Sequence, residues 1–520
     1  MKRIDASTLR AWFDDGQELA VLDAREEGEF GASHLFWAVP CPLSRRELRV
    51  QALLPRLATR IVCVDAGNGL AEQLAGYLES LGATDVSVLD RGIADWAATG
   101  GILFSGINVP SKAFGEWVEH HYGTESVDPP ELKQWLDDRR KMVVLDSRTF
   151  AEFQRMSIPS GISVPGGELA YRIGDLAPDP ETLVVVNCAG RTRSIMGAES
   201  LRQAGIPNRV VALRNGTMGW ELAGLSCDHG RGERFPPGRP KTADLALQRA
   251  QAFAERSGVG VIGPTELHGY ADDPDRTLYV LDVRDPAEFA EKHLAGSVSA
   301  PGGQLVQATD TWIGVRNARI ALIDDDGVRA RMSGGWLRQM GHRDVFVVEG
   351  GLDAAPLPVR AARPERSAPV PTITAAELAP AEDVLVIDLA RSVDFRDGHI
   401  PGAVWGIRSR LRALEKKLAR ASAVVLTSPD GGMAKLAAAE AQSLTKAALH
   451  VLEGGTAAWV AEGYRLDRNR TNPPDDACVD VYLRPYDRNA GVEAAMRAYL
   501  AWEIDLVHEI TRDGTVHFGV

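Results

Sequence analysis

The chain has 520 residues, 45% hydrophobic and 25% charged, the balance of a globular protein with real cores and, at about 150 residues per domain, room for three or four of them. A net charge of −13 repels polyanions, which argues against general nucleic-acid binding and obliges any small anion to find a locally positive pocket. The start Met1–Asp5 has no apolar stretch of a secretory signal, no window nears about 18 apolar residues, and five scattered cysteines make a poor disulfide framework. A cytoplasmic protein away from membranes is expected. Cys41, Cys63, Cys188, Cys227 and Cys478 form no CxxC pair or Cys/His cluster with zinc spacing, and adjacent His120 and His121 would diverge on a helix, so no metal or cofactor is expected.

The first apolar run, Leu19–Asp23, ends in an acidic residue, as do Met142–Asp146, Leu278–Asp282 and Val384–Asp388. Unbroken Val, Ile and Leu predict strands buried on both faces, as parallel sheets require. Arg25, Arg148 and Arg284 stand two residues past the acid; the fourth run has Ala390 there and Arg391 one place on. A second apolar run follows each, over Arg60–Asp65, Leu183–Cys188, Ile320–Asp325 and Val424–Ser428, ending 42, 42, 43 and 40 residues beyond the acid. A third marker, Gly92, Gly216, Gly351 and Gly455, comes 27, 28, 26 and 27 residues later. Trp96, Trp220 and Trp459 each follow their glycine by four, whereas Ala355 breaks the pattern in the third copy.

Helical stretches such as Ser194–Gln203 separate the second and third markers, so strands alternate with helices. The expected fold class is α/β: four tandem domains, each a parallel sheet flanked by helices, over residues 1–105, 106–232, 242–358 and 372–468. Exposed connections are predicted near 105–125, at Gly230–Pro240 and at Arg360–Pro369. Residues 469–520 form a C-terminal helical extension, apolar at 492, 496, 499, 500, 502, 504, 506 and 507. That face is expected to pack on a neighbouring domain, with a dimer contact as the alternative.

Chemistry concentrates in the loop Cys188-Ala-Gly-Arg-Thr-Arg-Ser194, at the carboxyl end of a predicted parallel strand, where ligands of open α/β sheets bind. Successive backbone N–H groups can form an anion nest there, the following helix adds its positive end, and Arg191 and Arg193 add charge. Each effect favours a thiolate and an anion beside it. Candidate residues are therefore Cys188 as nucleophile and Ala189, Gly190, Arg191, Thr192, Arg193 and Ser194 as the substrate cradle. Asp65, Asp325 and Ser428 take the place of Cys188 in the other copies, which are expected to be non-catalytic, and Cys63 is expected to be a core residue of its strand.

The pattern of Asp-x-Arg, a strand–Cys–loop–helix some 40 residues on, and Gly-x-x-x-Trp resembles the rhodanese (sulfurtransferase) family. His399-Ile-Pro-Gly-Ala403, with a weaker version at Ser157-Ile-Pro159, resembles that family's entry to the next strand. The resemblance implies a five-stranded parallel sheet per domain and a persulfide on Cys188, cradled by Ala189 to Ser194, with Arg193 facing the substrate. Asp146 and Arg148 resemble a stabilising pair. The implied activity is transfer of sulfane sulfur from an anionic donor such as thiosulfate to cyanide, a thiol or a protein acceptor. A persulfide relay or scaffold working with a dedicated partner is the alternative. A phosphatase-like or arsenate-reducing enzyme is disfavoured, because related phosphatases use Cys-x5-Arg and Cys188 to Arg193 is the shorter Cys-x4-Arg.

Overall fold

The four acid-ended runs each become an inner strand of a separate five-stranded parallel sheet. The computed structural model describes residues 1–357 and 369–519. The predicted connection Arg360–Pro369 therefore lies outside the described residues except for Pro369. In the first sheet β1 (Lys2–Ile4), β2 (Leu19–Asp23), β3 (Val39–Pro40), β4 (Arg60–Val64) and β5 (Val86–Leu89) run in the order β1-β5-β4-β2-β3. The second repeats it with β6 (Ser126–Val127), β7 (Met142–Asp146), β8 (Gly161–Ser163), β9 (Leu183–Asn187) and β10 (Val210–Leu213) in the order β6-β10-β9-β7-β8. The third and fourth sheets have the same order, and helices cover the faces of all four, as alternating strands and helices demand.

Register identifies equivalent positions. Asp23 pairs with Val64, Asp146 with Asn187, Asp282 with Ile323 and Asp388 with Thr427. The residues that leave the sheet at the same point are thus Asp65, Cys188, Asp324 and Ser428. This corrects the sequence reading by one residue in the third copy, where Asp324 and not Asp325 stands in the place of Cys188. Three consecutive aspartates follow Ile323, and their order alone does not say where the strand ends. The folded chain buries the first, whose carboxylate accepts from the N–H groups of Gly327 (2.7 Å) and Ala330 (3.0 Å).

The Asp-x-Arg pairs are buried and alike. Arg148 donates through Nε (2.9 Å) and Nη2 (2.7 Å) to Asp146 and through Nη2 to the Met156 carbonyl (2.6 Å). Arg25 and Arg284 bond their own acids and the carbonyls of Ser33 and Lys292 in the same way. They tie the inner strand to the next crossover, a stabilising role. Trp96, Trp220 and Trp459 each donate an indole N–H to a carbonyl six residues on, those of Ile102, Ser226 and Arg465.

The copies are not beads on a string. One hydrophobic cluster takes Leu53 from copy one, Tyr171 and Ile195 from copy two and Phe253 and Trp336 from copy three. Trp336 donates to Ser200 Oγ (2.8 Å), and Tyr279 to the Leu53 carbonyl (2.6 Å). Arg408 of copy four binds both carboxylate oxygens of Glu47 in copy one, at 2.7 and 3.0 Å. The extension returns from copy four past copy one, where Gly28 N–H donates to the Val479 carbonyl (2.8 Å), and ends in the helix Val492–Asp513. That helix packs on the helix Val109–Tyr122, between copies one and two. Among the described residues no helix is long and apolar enough to cross a membrane.

Candidate active site

Cys188 follows β9, whose five residues are all buried, and is itself 2% exposed. The turn after β10 fixes it from behind. Gly216 has φ +55°, and a Cβ there would lie 2.2 Å from the Cys188 carbonyl oxygen, so only glycine allows this approach. Next to it the N–H groups of Thr217 and Met218 donate to the carbonyls of Cys188 (2.8 Å) and Ala189 (3.0 Å). With those carbonyls held outward, the N–H groups of Ala189 to Arg193 find no acceptor among the described residues. They open at the N-terminus of the helix Thr192–Gln203, a geometry that attracts anions. Cys188 Sγ lies 3.5 Å from Ser194 Oγ, whose hydroxyl donates to the Arg191 carbonyl at 2.8 Å.

The two arginines are already paired. Arg191 donates twice to Glu116 (2.8 and 2.8 Å), and also to Glu119, both on the helix Val109–Tyr122. Arg193 donates to both oxygens of Glu152 (2.8 and 2.8 Å). Burial alone would raise the Glu152 carboxyl, but Arg193, with Arg148 beyond it, holds it well below the usual carboxylate range. Arg193 thus faces the cavity as half of an ion pair, and the free anion-binding capacity lies in the backbone. Nothing local in the sequence points to these counterions, which lie on helices 41 and 75 positions away.

The cavity in front of Cys188 holds about 240 Å³, enough for a small oxyanion. Copy two supplies the loop, Arg148 and Met218; copy three supplies Gln304 and Gln307; the extension supplies Tyr482, Arg484, Tyr486, Tyr499 and Glu503. Glu503 is buried, and its Oε1 accepts from Lys112 Nζ (3.0 Å), Tyr499 OH (3.0 Å) and Thr192 Oγ1 (3.3 Å). Burial and the Glu503 charge push the Tyr499 hydroxyl far above its ordinary value. Sequence reasoning found the helix that carries Tyr499 and Glu503 but not its place over the loop. The only available signal was apolar periodicity, which names no partner.

In copies one and three the equivalent cradle is already filled. Asp65 accepts from the N–H groups of Gly67 (2.7 Å) and Ala71 (3.0 Å), and Asp324 does the same in copy three. Ser428 Oγ accepts from Ala434 N–H (3.3 Å) in copy four. A fixed carboxylate in the nest excludes an anionic ligand and offers no thiol. The remaining cysteines lie elsewhere. Cys41 and Cys63 are buried in the copy-one core, and burial pushes Cys41 up to about 12 and Cys63 well above its ordinary value. Cys227 is half-buried beside Trp220 and is pushed up to about 12. Among the described residues no His, Cys, Asp and Glu group could hold a metal ion.

Four repeats of this sheet, with a thiol in an amide nest on one, define a class. The family model of the rhodanese-like domain matches residues 5–99, 128–223, 263–355 and 374–462, and the chain belongs to that family as a rhodanese-like transferase. Its full length superposes on the crystal structure of a thiosulfate sulfurtransferase from Pseudomonas aeruginosa, 44% identical, with a TM-score of 0.93 and 100% of each chain covered. A sulfurtransferase of Allochromatium vinosum is 31% identical over 99 residues, 19% of this chain and 90% of that protein. The putative sulfur carrier protein YrkF of Bacillus subtilis is 25% identical over 177 residues, 32% of this chain and 91% of that protein.

Proposed function

We propose that the chain moves sulfane sulfur from a small anionic donor such as thiosulfate, through a persulfide on Cys188, to a thiol or cyanide. The observation that carries this reading is the nest of amide N–H groups, turned away from every protein acceptor, around Cys188, the one thiol among the described residues that stands at a strand end, where the other three copies have Asp65, Asp324 and Ser428. The likeness over the full chain to a protein named as a thiosulfate sulfurtransferase supports it. In the first step the Cys188 thiolate attacks the outer sulfur of thiosulfate. The sulfur–sulfur bond of the donor breaks, sulfite leaves with the electron pair, and Cys188 carries S–S⁻. In the second step cyanide takes that sulfur as thiocyanate and Cys188 returns as thiolate. A thiol acceptor takes it as a persulfide, its proton moving to the transferred sulfur. Ala189 to Arg193 hold the negative charge in both steps through backbone N–H groups and the helix end, with the Ser194 hydroxyl beside the sulfur.

Phosphate chemistry fits less well. The loop closes one residue sooner than Cys-x5-Arg, and the place of that arginine is taken by Ser194, whose hydroxyl is spent on the Arg191 carbonyl. The cavity, roofed by the extension, suits a small donor better than the surface of a donor protein. The test is an intact mass after incubation with thiosulfate. Wild type gains one sulfur atom and Cys188→Ser gains none; equal gain on the variant, or none on wild type, rejects the reading.

A further inference from the structure

Copies two and three meet through equivalent turns. The turns Pro165-Gly-Gly-Glu168 and Pro301-Gly-Gly-Gln304 occupy the same place in their domains and touch reciprocally. A Cβ on Gly167 would lie 2.9 Å from Gly303 N, and one on Gly303 2.8 Å from Gly167 N. The last residue of each turn therefore reaches the loop of the other copy. Glu168 does so through Oε1, which accepts from Arg329 Nη1 at 2.8 Å. Arg329 stands in copy three where Arg193 stands in copy two, five residues past Asp324 as Arg193 is past Cys188, and it binds Glu288 as Arg193 binds Glu152.

Gln304 is the counterpart of Glu168, and it lines the Cys188 cavity together with Arg193. Its Oε1 accepts from Gln307 Nε2 (2.9 Å), which leaves its own Nε2 buried and without a partner. Buried donors are nearly always satisfied, so this one calls for an acceptor. The two ends of this reciprocal contact also differ in charge. Arg329 is surrounded by Glu168, Glu288 and Asp325, with Asp324 in the nest beside it. Arg193 has Glu152, a neutral amide lining the same cavity, and a nest with no carboxylate of the chain in it.

We infer that Gln304, on a copy that carries no thiol of its own in the nest, is a donor-binding residue of the Cys188 site. A turn of its side-chain amide into the cavity it lines brings the buried Nε2–H to an oxygen of a sulfonate-type oxyanion whose outer sulfur rests on Cys188. Its neutrality keeps the site open to a dianion, whereas the glutamate at the equivalent position closes the other site. This inference rests on the reading of Cys188 proposed above.

The experiment is single-turnover sulfur loading of the full chain from thiosulfate, followed by intact mass, for wild type and for Gln304→Glu, Gln304→Ala and Gln304→Lys. A like charge facing the dianion should raise the half-saturating thiosulfate concentration at least about tenfold in the glutamate variant. Loss of one donor should raise it about threefold to tenfold in the alanine variant. The lysine variant should bind as well as wild type or better, and in all three the maximal loading rate should change less than half-saturation does. Glutamate and lysine disturb the packing alike, so a purely structural role moves both in one direction. That result, or a glutamate variant that matches wild type, overturns the role of Gln304 while leaving Cys188 intact. Loading that survives Cys188→Ser, or fails in wild type, overturns the reading beneath it as well.

Discussion

Asp388 lacks the arginine that its three counterparts have, and the consequence is electrostatic. Ala390 N–H donates to its Oδ1 (2.9 Å), while Oδ2 is buried without a partner. Burial pushes this carboxyl up from 3.8 to about 6. A folded-state value above the unfolded one means that the folded chain holds the proton longer. Its favourable contribution is complete below about pH 4 and is lost as pH rises through 6. Asp388→Asn should therefore stabilise copy four at pH 8, by about 1–3 kcal/mol, and change little at pH 4. Thermal unfolding at the two pH values measures this, and an equal shift at both refutes it. The Asp-x-Arg signature was legible because its partners lie two residues apart. The counterions Glu116 and Glu152 of the loop arginines were not, because sequence records a charge but not its distant partner.

At the scale of elements, strand runs and their order could be read because apolar runs are continuous and their spacing repeats. The helix after Cys188 starts at Thr192, two residues before the expected Ser194, and in the third copy Asp324, Asp325 and Asp326 are equivalent strand ends in sequence, so the expected position lies one residue too far on. The same offset obscures Arg329 as the counterpart of Arg193. The glycine at 216 was visible as a marker, but its purpose is a close approach. Gly216→Ala should add about 1–3 kcal/mol of backbone strain and displace the Cys188 carbonyl, so that stability and sulfur loading both fall. Gly205 also has a positive φ, +70°, but with open space around its Cβ position. Gly205→Ala should cost about 1–2 kcal/mol of stability and leave loading unchanged. Urea midpoints and loading rates for the two variants separate conformational strain from the geometry of the site; equal loading in both would show that the approach at 216 is immaterial to the nest.

At the scale of the molecule, one thiol is served by two copies and the extension. Thr192 and Glu503, 311 positions apart, meet at the loop, and a Cβ on Gly190 would lie 3.1 Å from Glu503 Oε2 and 3.4 Å from the Tyr499 ring. An apolar stripe on 492–507 could be read as a buried face, but nothing in it names the surface it covers. Met496 and Leu500 of that face close over Met218 and Ala189, and so the extension forms the outer wall of the cavity. A wall of this kind excludes water and bulky reagents from a reactive sulfur. A chain ending at Asn489 keeps β9, the nest, Gln304 and the lining residues Tyr482, Arg484 and Tyr486 but loses the helix that closes the wall. It should still accept sulfur on Cys188, and a large alkylating reagent should then reach Cys188 severalfold faster than in the full chain. The persulfide should likewise discharge faster to a bulky thiol, while discharge to cyanide, small enough to enter the closed cavity, changes less. If alkylation and discharge proceed at full-chain rates, the helix is a structural brace and the cavity is open by another route. If the shortened chain no longer takes up sulfur while remaining folded, the contacts of Glu503 with Thr192 and Lys112 are needed to hold the nest in shape.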